Sequence, residues 1–144
     1  MSSGPVLVTE GPFAGWMTWS RGADPYETML GPFCFQMIDG RARCAFEPKP
    51  HHLNGSGKLH GGALMSFADF ALFCFAYKAL PVGTPTVTLT CNCEFISAGD
   101  CDSWIEAEGD VLRDTRSLIF ARGLIAQRGR PVLAFSGALK KIGM

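Results

Sequence analysis

The pattern of apolar and polar positions changes character three times along the chain, and each change marks a different kind of element. Up to about residue 31 the chain is rich in Gly, Pro and Trp and has no sustained periodicity. Within that stretch, Asp24-Pro25-Tyr26-Glu27-Thr28-Met29-Leu30 predicts a short helix, with Asp24 as N-cap and Pro25 at the first helical position. Gly4 and Pro5 are expected in a disordered tip, whereas Trp16, Trp19 and Tyr26 are expected to pack onto the domain. From Phe33 the pattern turns to strand. Residues 33–38 meet Asp39-Gly40, a hairpin turn pair, and residues 41–46 return in alternation before Glu47-Pro48-Lys49-Pro50 ends the hairpin. A run made almost wholly of Leu, Phe, Ala, Met, Tyr and Cys then predicts one helix over 61–80, stopped by Pro81 and Gly83. Everything after it reads as strand: 86–96, 103–113, 117–127 with a turn at Arg128-Gly129-Arg130, and 132–139. In the first of these, Thr86, Thr88, Thr90 and Asn92 alternate with Val87, Leu89, Cys91 and Cys93.

A hairpin, one long apolar helix and then an antiparallel meander predict an α+β fold. A helix that is apolar on every side must be covered on more than one face, so the sheet of five or six strands is expected to curl around it. The side left over must be hidden by a second copy of the chain or by the N-terminal segment. Residues 1–30 read as a partly ordered extension and residues 31–144 as the domain, with no repeat, low-complexity tract or linker.

Composition narrows the function classes. At 144 residues and 47% hydrophobic, the chain suits one domain with a sizeable core. Thirteen basic and thirteen acidic residues balance, which argues against a nucleic-acid partner but leaves room for a small phosphate-bearing ligand. The helical run reaches membrane-spanning length, but Asp69 near its centre and Lys78 near its end make insertion costly. A helix buried in a soluble core fits better. Residues 1–10 lack the features of a secretory signal, and the six cysteines lie mostly in apolar or alternating segments. Reduced thiols and a cytoplasmic location are therefore expected. His51, His52 and His60 have no matching Cys or acidic ligand set nearby, so no metal is expected.

The informative chemistry sits at the start of the helix. Asp69 is a carboxylate in the middle of an apolar run, expensive to bury unless paired, hydrogen-bonded or put to use. Gly61 and Gly62 leave bare backbone N–H groups at the positive end of the same helix. An acid and an anion-stabilising terminus together suggest chemistry at a carbonyl, although a glycine pair also permits close packing or a tight turn.

His52-x-Asn54-x-x-Gly57-x-x-His60-Gly61-Gly62, with Asp69 eight residues past the first glycine of the pair, resembles the hotdog-fold acyl-CoA thioesterases of the phenylacetate-degradation (PaaI-like) group. The resemblance in element order extends over roughly residues 33–141. It implies hydrolysis of a coenzyme A thioester by a homodimer, often a dimer of dimers, with no cofactor beyond the coenzyme A of the substrate.

The resemblance also implies roles at matching positions. Asp69 would be the general base that activates water, or a nucleophile. Gly61 would donate its N–H to the oxyanion, and Asn54 would help hold the carbonyl or the water. Thr88 would orient the water, and His60 reads mainly as architecture. Asn before a helix and Thr in a strand also have ordinary structural uses. Lys58, Arg128, Arg130, Lys140 and Lys141 are candidates for the phosphates of coenzyme A, against their reading as solvated surface charge.

Helix geometry adds an argument of its own. At roughly 1.5 Å per residue, Gly61 and Asp69 are separated by about 12 Å along one helix. Two antiparallel copies would place the start of one helix beside the middle of the other, giving two equivalent sites. A hotdog hydratase fits less well, because no His follows His60 on the helix. A non-catalytic acyl-CoA-binding sensor of the same fold remains the alternative from another class.

Overall fold

The computed structural model describes residues 4–144, so the first three residues of the N-terminal extension lie outside the described residues. Two short strands, β1 (Val6–Leu7) and β2 (Met17–Thr18), come first, followed by α1 (Pro25–Leu30) and the hairpin β3 (Cys34–Ile38) and β4 (Arg41–Phe46). The long helix α2 (Gly61–Phe75) leads into β5 (Thr86–Phe95), β6 (Ile105–Asp114), β7 (Leu118–Gln127) and β8 (Arg130–Lys141). The eight strands among the described residues form one sheet in the order β1-β2-β3-β4-β6-β7-β8-β5, antiparallel at every pairing. Helix α2 packs against β4, β5, β6, β7 and β8. This is the hotdog arrangement, six long strands around one helix, with two two-residue strands added at the β3 edge. Among the described residues, no helix is long and apolar enough to cross a membrane.

Local chemistry accounts for the elements that match the sequence reading. Asp24 caps α1 by accepting the Glu27 N–H on Oδ1 at 3.0 Å, and Pro25 opens the helix. Asp39 and Gly40 both have positive φ, 51° and 80°, which lets a two-residue turn match the twist of its flanking strands. Arg128 and Gly129 repeat the device between β7 and β8, at 51° and 75°.

Three expectations are corrected. Helix α2 ends at Phe75, and the remaining apolar residues tighten into a separate 3-10 turn at Tyr77–Ala79. Tyr77 packs edge-on against Phe35 and Trp19, a contact that apolar periodicity does not reveal. The strands after the helix are not one meander either. Only β6, β7 and β8 follow one another in the sheet, whereas β5 lies at its edge beside β8. Finally, a bulge between Thr88 and Thr90 breaks the alternation of β5. Thr88 pairs with buried Leu139 and faces the helix, as do Cys91 and Cys93 opposite Gly137 and Phe135. The Thr90 hydroxyl instead accepts the Ala138 N–H.

The N-terminal segment covers both faces of the sheet. Val8 and Phe13 bury against Cys34 and Ala45, with Trp16 and Trp104 packed alongside. Trp19 stacks on Phe35 at a 5.1 Å ring separation, on the helix side. Along α2 the residues left incompletely buried include Gly62, Met65, Ser66, Asp69 and Phe73, a single stripe at helical spacing. Tyr26 of α1 reaches this stripe, its hydroxyl 2.9 Å from Ser66 Oγ.

Close approach of helix to sheet depends on glycines at facing positions. Gly109 of β6 lies opposite Gly123 of β7, under the Phe75 ring. A methyl group at Gly123 would stand 2.6 Å from Phe75 Cε2 and 2.7 Å from Phe135 Cζ. Gly123→Ala is therefore expected to cost about 1–3 kcal/mol by overpacking, read as a fall of several degrees in Tm. An unchanged Tm would show that the rings yield without strain.

Candidate active site

Asp69 is carried on the exposed stripe of α2 and stands half-buried in a cavity of 420 Å³. Trp19, Phe70, Phe73, Leu80 and Pro81 make the apolar wall, and Thr84, Thr86 and Thr88 line the side formed by β5 and the turn before it. Thr88 Oγ1 donates to Asp69 Oδ1 at 2.6 Å. That bond fixes one carboxylate oxygen, so the structure joins these two sequence candidates directly. The bulge after Thr88 makes this local, because Thr90 no longer shares the inward face.

The other candidates gather at the start of α2 and do not line this cavity. His60 is the N-cap, its Nδ1 accepting the Gly62 N–H at 2.8 Å. The ring proton therefore sits on Nε2 and the residue is engaged in architecture. With Gly62 satisfied in this way, the N–H of Gly61 is the one left without an acceptor at the mouth of the helix among the described residues. Its α-carbon faces Phe95, where a methyl group would come within 3.2 Å of the ring. Asn54 closes its own loop, Oδ1 accepting the N–H groups of Ser56 at 2.8 Å and Lys58 at 3.1 Å. Its carbonyl oxygen is thereby used, and only the amide NH₂ can serve a ligand. His52 is structural. It accepts the Lys49 N–H and contacts the Leu30 carbonyl at 2.6 Å, and burial lowers its pKa.

The five candidate cations divide between the two ends of β8. Arg128 forms a two-pronged pair with Asp100, at 3.2 and 3.0 Å, which holds that carboxyl down at about 2. Arg130 donates to the Ala98 carbonyl, and Lys58 is exposed and lies close enough for its charge to act on Asp100. Lys140 is half-buried at the far end of the strand. Lys141 is a correction to the phosphate-binding set. It is 7% exposed, and its ammonium is committed to Asp114 and to the Thr115 carbonyl.

Sequence reasoning missed Glu27. It belongs to α1 and lines the same cavity as Asp69, and among the described residues no Lys or Arg lines that cavity with it. Burial, and then the nearby charges of Asp24 and Asp69, push its carboxyl up to about 8, against a weak opposing bond from Ser20 Oγ at 3.5 Å. The helix around Glu27 was legible from its cap, but nothing local showed that this helix docks over Asp69.

The sequence pattern of the Thioesterase superfamily matches residues 56–134, and the chain belongs to that family. It is 28% identical over 131 residues to the acyl-coenzyme A thioesterase PaaI of Escherichia coli K12, covering 87% of this chain and 91% of that protein. The solved E. coli PaaI protein superposes with a TM-score of 0.68 at 27% identity, over 83% of this chain and 86% of that one. The TT0310 protein of Thermus thermophilus gives 0.71 at 27% identity, over 83% and 98%.

Proposed function

We propose that the chain is an acyl-CoA thioesterase that works as a homodimer, hydrolysing a coenzyme A thioester to a carboxylic acid and free coenzyme A. The observation that carries this reading is Asp69, the single carboxylate on an apolar helix, standing in an apolar-walled cavity with Thr88 on one of its oxygens. The free oxygen takes a proton from water as that water adds to the thioester carbonyl. Charge then collects on the carbonyl oxygen, where a preorganised N–H donor at a helix N-terminus stabilises it. Gly61 supplies that donor, with the Asn54 amide beside it. Collapse of the tetrahedral intermediate expels the coenzyme A thiolate.

The donor and the acid come from different subunits. Strand β5 is an edge strand, bonded to β8 on one side only, and Leu89 and Phe95 on it are 53% and 55% exposed. An edge of ten residues with exposed apolar side chains is a template for pairing with another chain. Asp69 is tied to Thr88, and Gly61 lies against Phe95. Antiparallel pairing of two β5 strands about an axis at Asn92, with Leu89 left unpaired by the bulge, sets Thr88 opposite the partner's Phe95. Asp69 then faces the partner's Gly61, and the symmetry produces two such sites. Lys58 and Arg130, exposed near the same helix mouth, are the cations best placed to meet the coenzyme A phosphates.

Release of free thiol from short, long and aryl acyl-CoAs tests the activity. Turnover dependent on Asp69 supports it. Tight binding of every thioester with no turnover would make the chain a sensor.

A further inference from the structure

The cavity contains polar groups that hydrolysis does not use. Glu27 lines it from α1, and among the described residues its one side-chain hydrogen bond is the long contact with Ser20. Thr84 and Thr86 line the same cavity, but their hydroxyl oxygens are sealed from it, whereas the Glu27 carboxyl has hydrogen-bonding capacity left over. Polar groups on an apolar wall are ordinarily paired, so a carboxyl with one long hydrogen bond on this cavity calls for a ligand atom beside it. Building on the thioesterase reading above, we propose that Glu27 is a specificity determinant of the acyl pocket. Its carboxyl favours acyl groups bearing an uncharged hydroxyl or carbonyl substituent over hydrocarbon acyl groups of the same size and over acyl groups ending in a carboxylate.

The charges around the pocket fix the sign of the preference. Asp24 at the α1 cap and Asp69 on α2 are the acids acting on Glu27, Ser20 contributes a hydroxyl, and Cys74 of α2 lies close enough to sense its charge. Among the described residues, none that lines the cavity is a Lys or Arg. An anionic acyl group would therefore meet like charge with no counter-ion. A carboxyl kept in its neutral form presents an O–H donor as well as an acceptor, and so can serve a ligand carbonyl or hydroxyl. Glu27 remains neutral up to about pH 8. Above that pH it loses the donor and gains a charge facing the acyl group.

The test compares kcat/KM for a medium-chain acyl-CoA, its chain-end keto and hydroxy analogues, and a dicarboxylic half-thioester of equal length. Wild-type protein is expected to favour the keto and hydroxy substrates by about five- to tenfold at pH 7, the worth of one net hydrogen bond. Glu27→Leu is expected to abolish the preference by improving the hydrocarbon substrate, and Glu27→Gln to retain most of it. The wild-type preference is expected to fade as pH rises through about 8, while that of Glu27→Gln stays level. Equal selectivity in wild type and Glu27→Leu would overturn the assignment, as would ready turnover of the dicarboxylic substrate. Calorimetric binding of the corresponding non-hydrolysable thioethers reads the same ratios without catalysis. If no thioester is cleaved, the thioesterase reading fails and the thioether ratios still decide the role of Glu27. Melting curves for both variants establish that the fold is intact.

Discussion

Asp69→Asn is expected to lower kcat for thioester hydrolysis by about 10²–10⁴-fold, the usual contribution of a positioned general base. The substitution keeps the shape of the side chain and an oxygen for the Thr88 hydroxyl, whose bond to Asp69 is 2.6 Å long. It removes only the capacity to take a proton from water. KM should change little, because the acyl wall of Trp19, Phe70 and Phe73 is untouched. The melting temperature should hold or rise, since a half-buried carboxylate gives way to a neutral amide. Steady-state thiol release and a melting curve on the same preparation check all three. Wild-type kcat in Asp69→Asn would remove Asp69 from the mechanism while leaving the fold as described.

Gly61→Pro is expected to lower kcat by about 10²–10³-fold, the cost of losing one oxyanion donor. Proline removes the N–H, and the backbone at this position accepts it. Gly61 is the first residue of α2, where proline is a favoured residue. His60 before it has φ −65° and ψ 136°, the extended conformation that a residue preceding proline requires. The His60 cap to Gly62 and the bonds from the Ala63 and Leu64 N–H groups to the His60 carbonyl all survive. The ring adds bulk next to Phe95, 3.2 Å from the position of the new β-carbon, so a small displacement of that exposed side chain is expected. Unchanged far-ultraviolet circular dichroism with kcat lost would assign the effect to the donor. Retained kcat would mean that the oxyanion is stabilised elsewhere.

Both substitutions address features that short stretches of the chain carry by themselves. An acid in an apolar helix, and glycines at its mouth, depend on sequence neighbours alone, as do the Asp24 cap and the Asp39-Gly40 turn. What was not legible depends on long-range packing. Alternation identifies β5 as a strand, but its place beside β8 is decided by which strand edges the other strands leave open. The bulge that separates Thr88 from Thr90 leaves no mark on the Thr-x-Thr-x-Thr pattern. A lysine in a terminal strand reads as surface charge, whereas Asp114 and Thr115 fold back to bury Lys141. Glu27 lies 42 residues before Asp69, and only the docking of α1 over the stripe of α2 makes them neighbours in one cavity.

The central claim is that Asp69 and Gly61 act across a subunit boundary, and mixing the two inactive variants tests it most directly. Each homodimer, Asp69→Asn or Gly61→Pro, contains two defective sites. A mixed dimer contains one site with an intact Asp69 facing the partner's intact Gly61, and one site with neither. Random exchange of equal amounts is therefore expected to restore about one quarter of wild-type activity, half of the dimers being mixed and half of their sites complete. Thiol release is measured after the variants have been unfolded together and refolded, beside each variant treated alone. Recovery near that value is the predicted result. Activity that stays at the sum of the separate variants, with mixed dimers demonstrated by mass, would place acid and donor in the same chain.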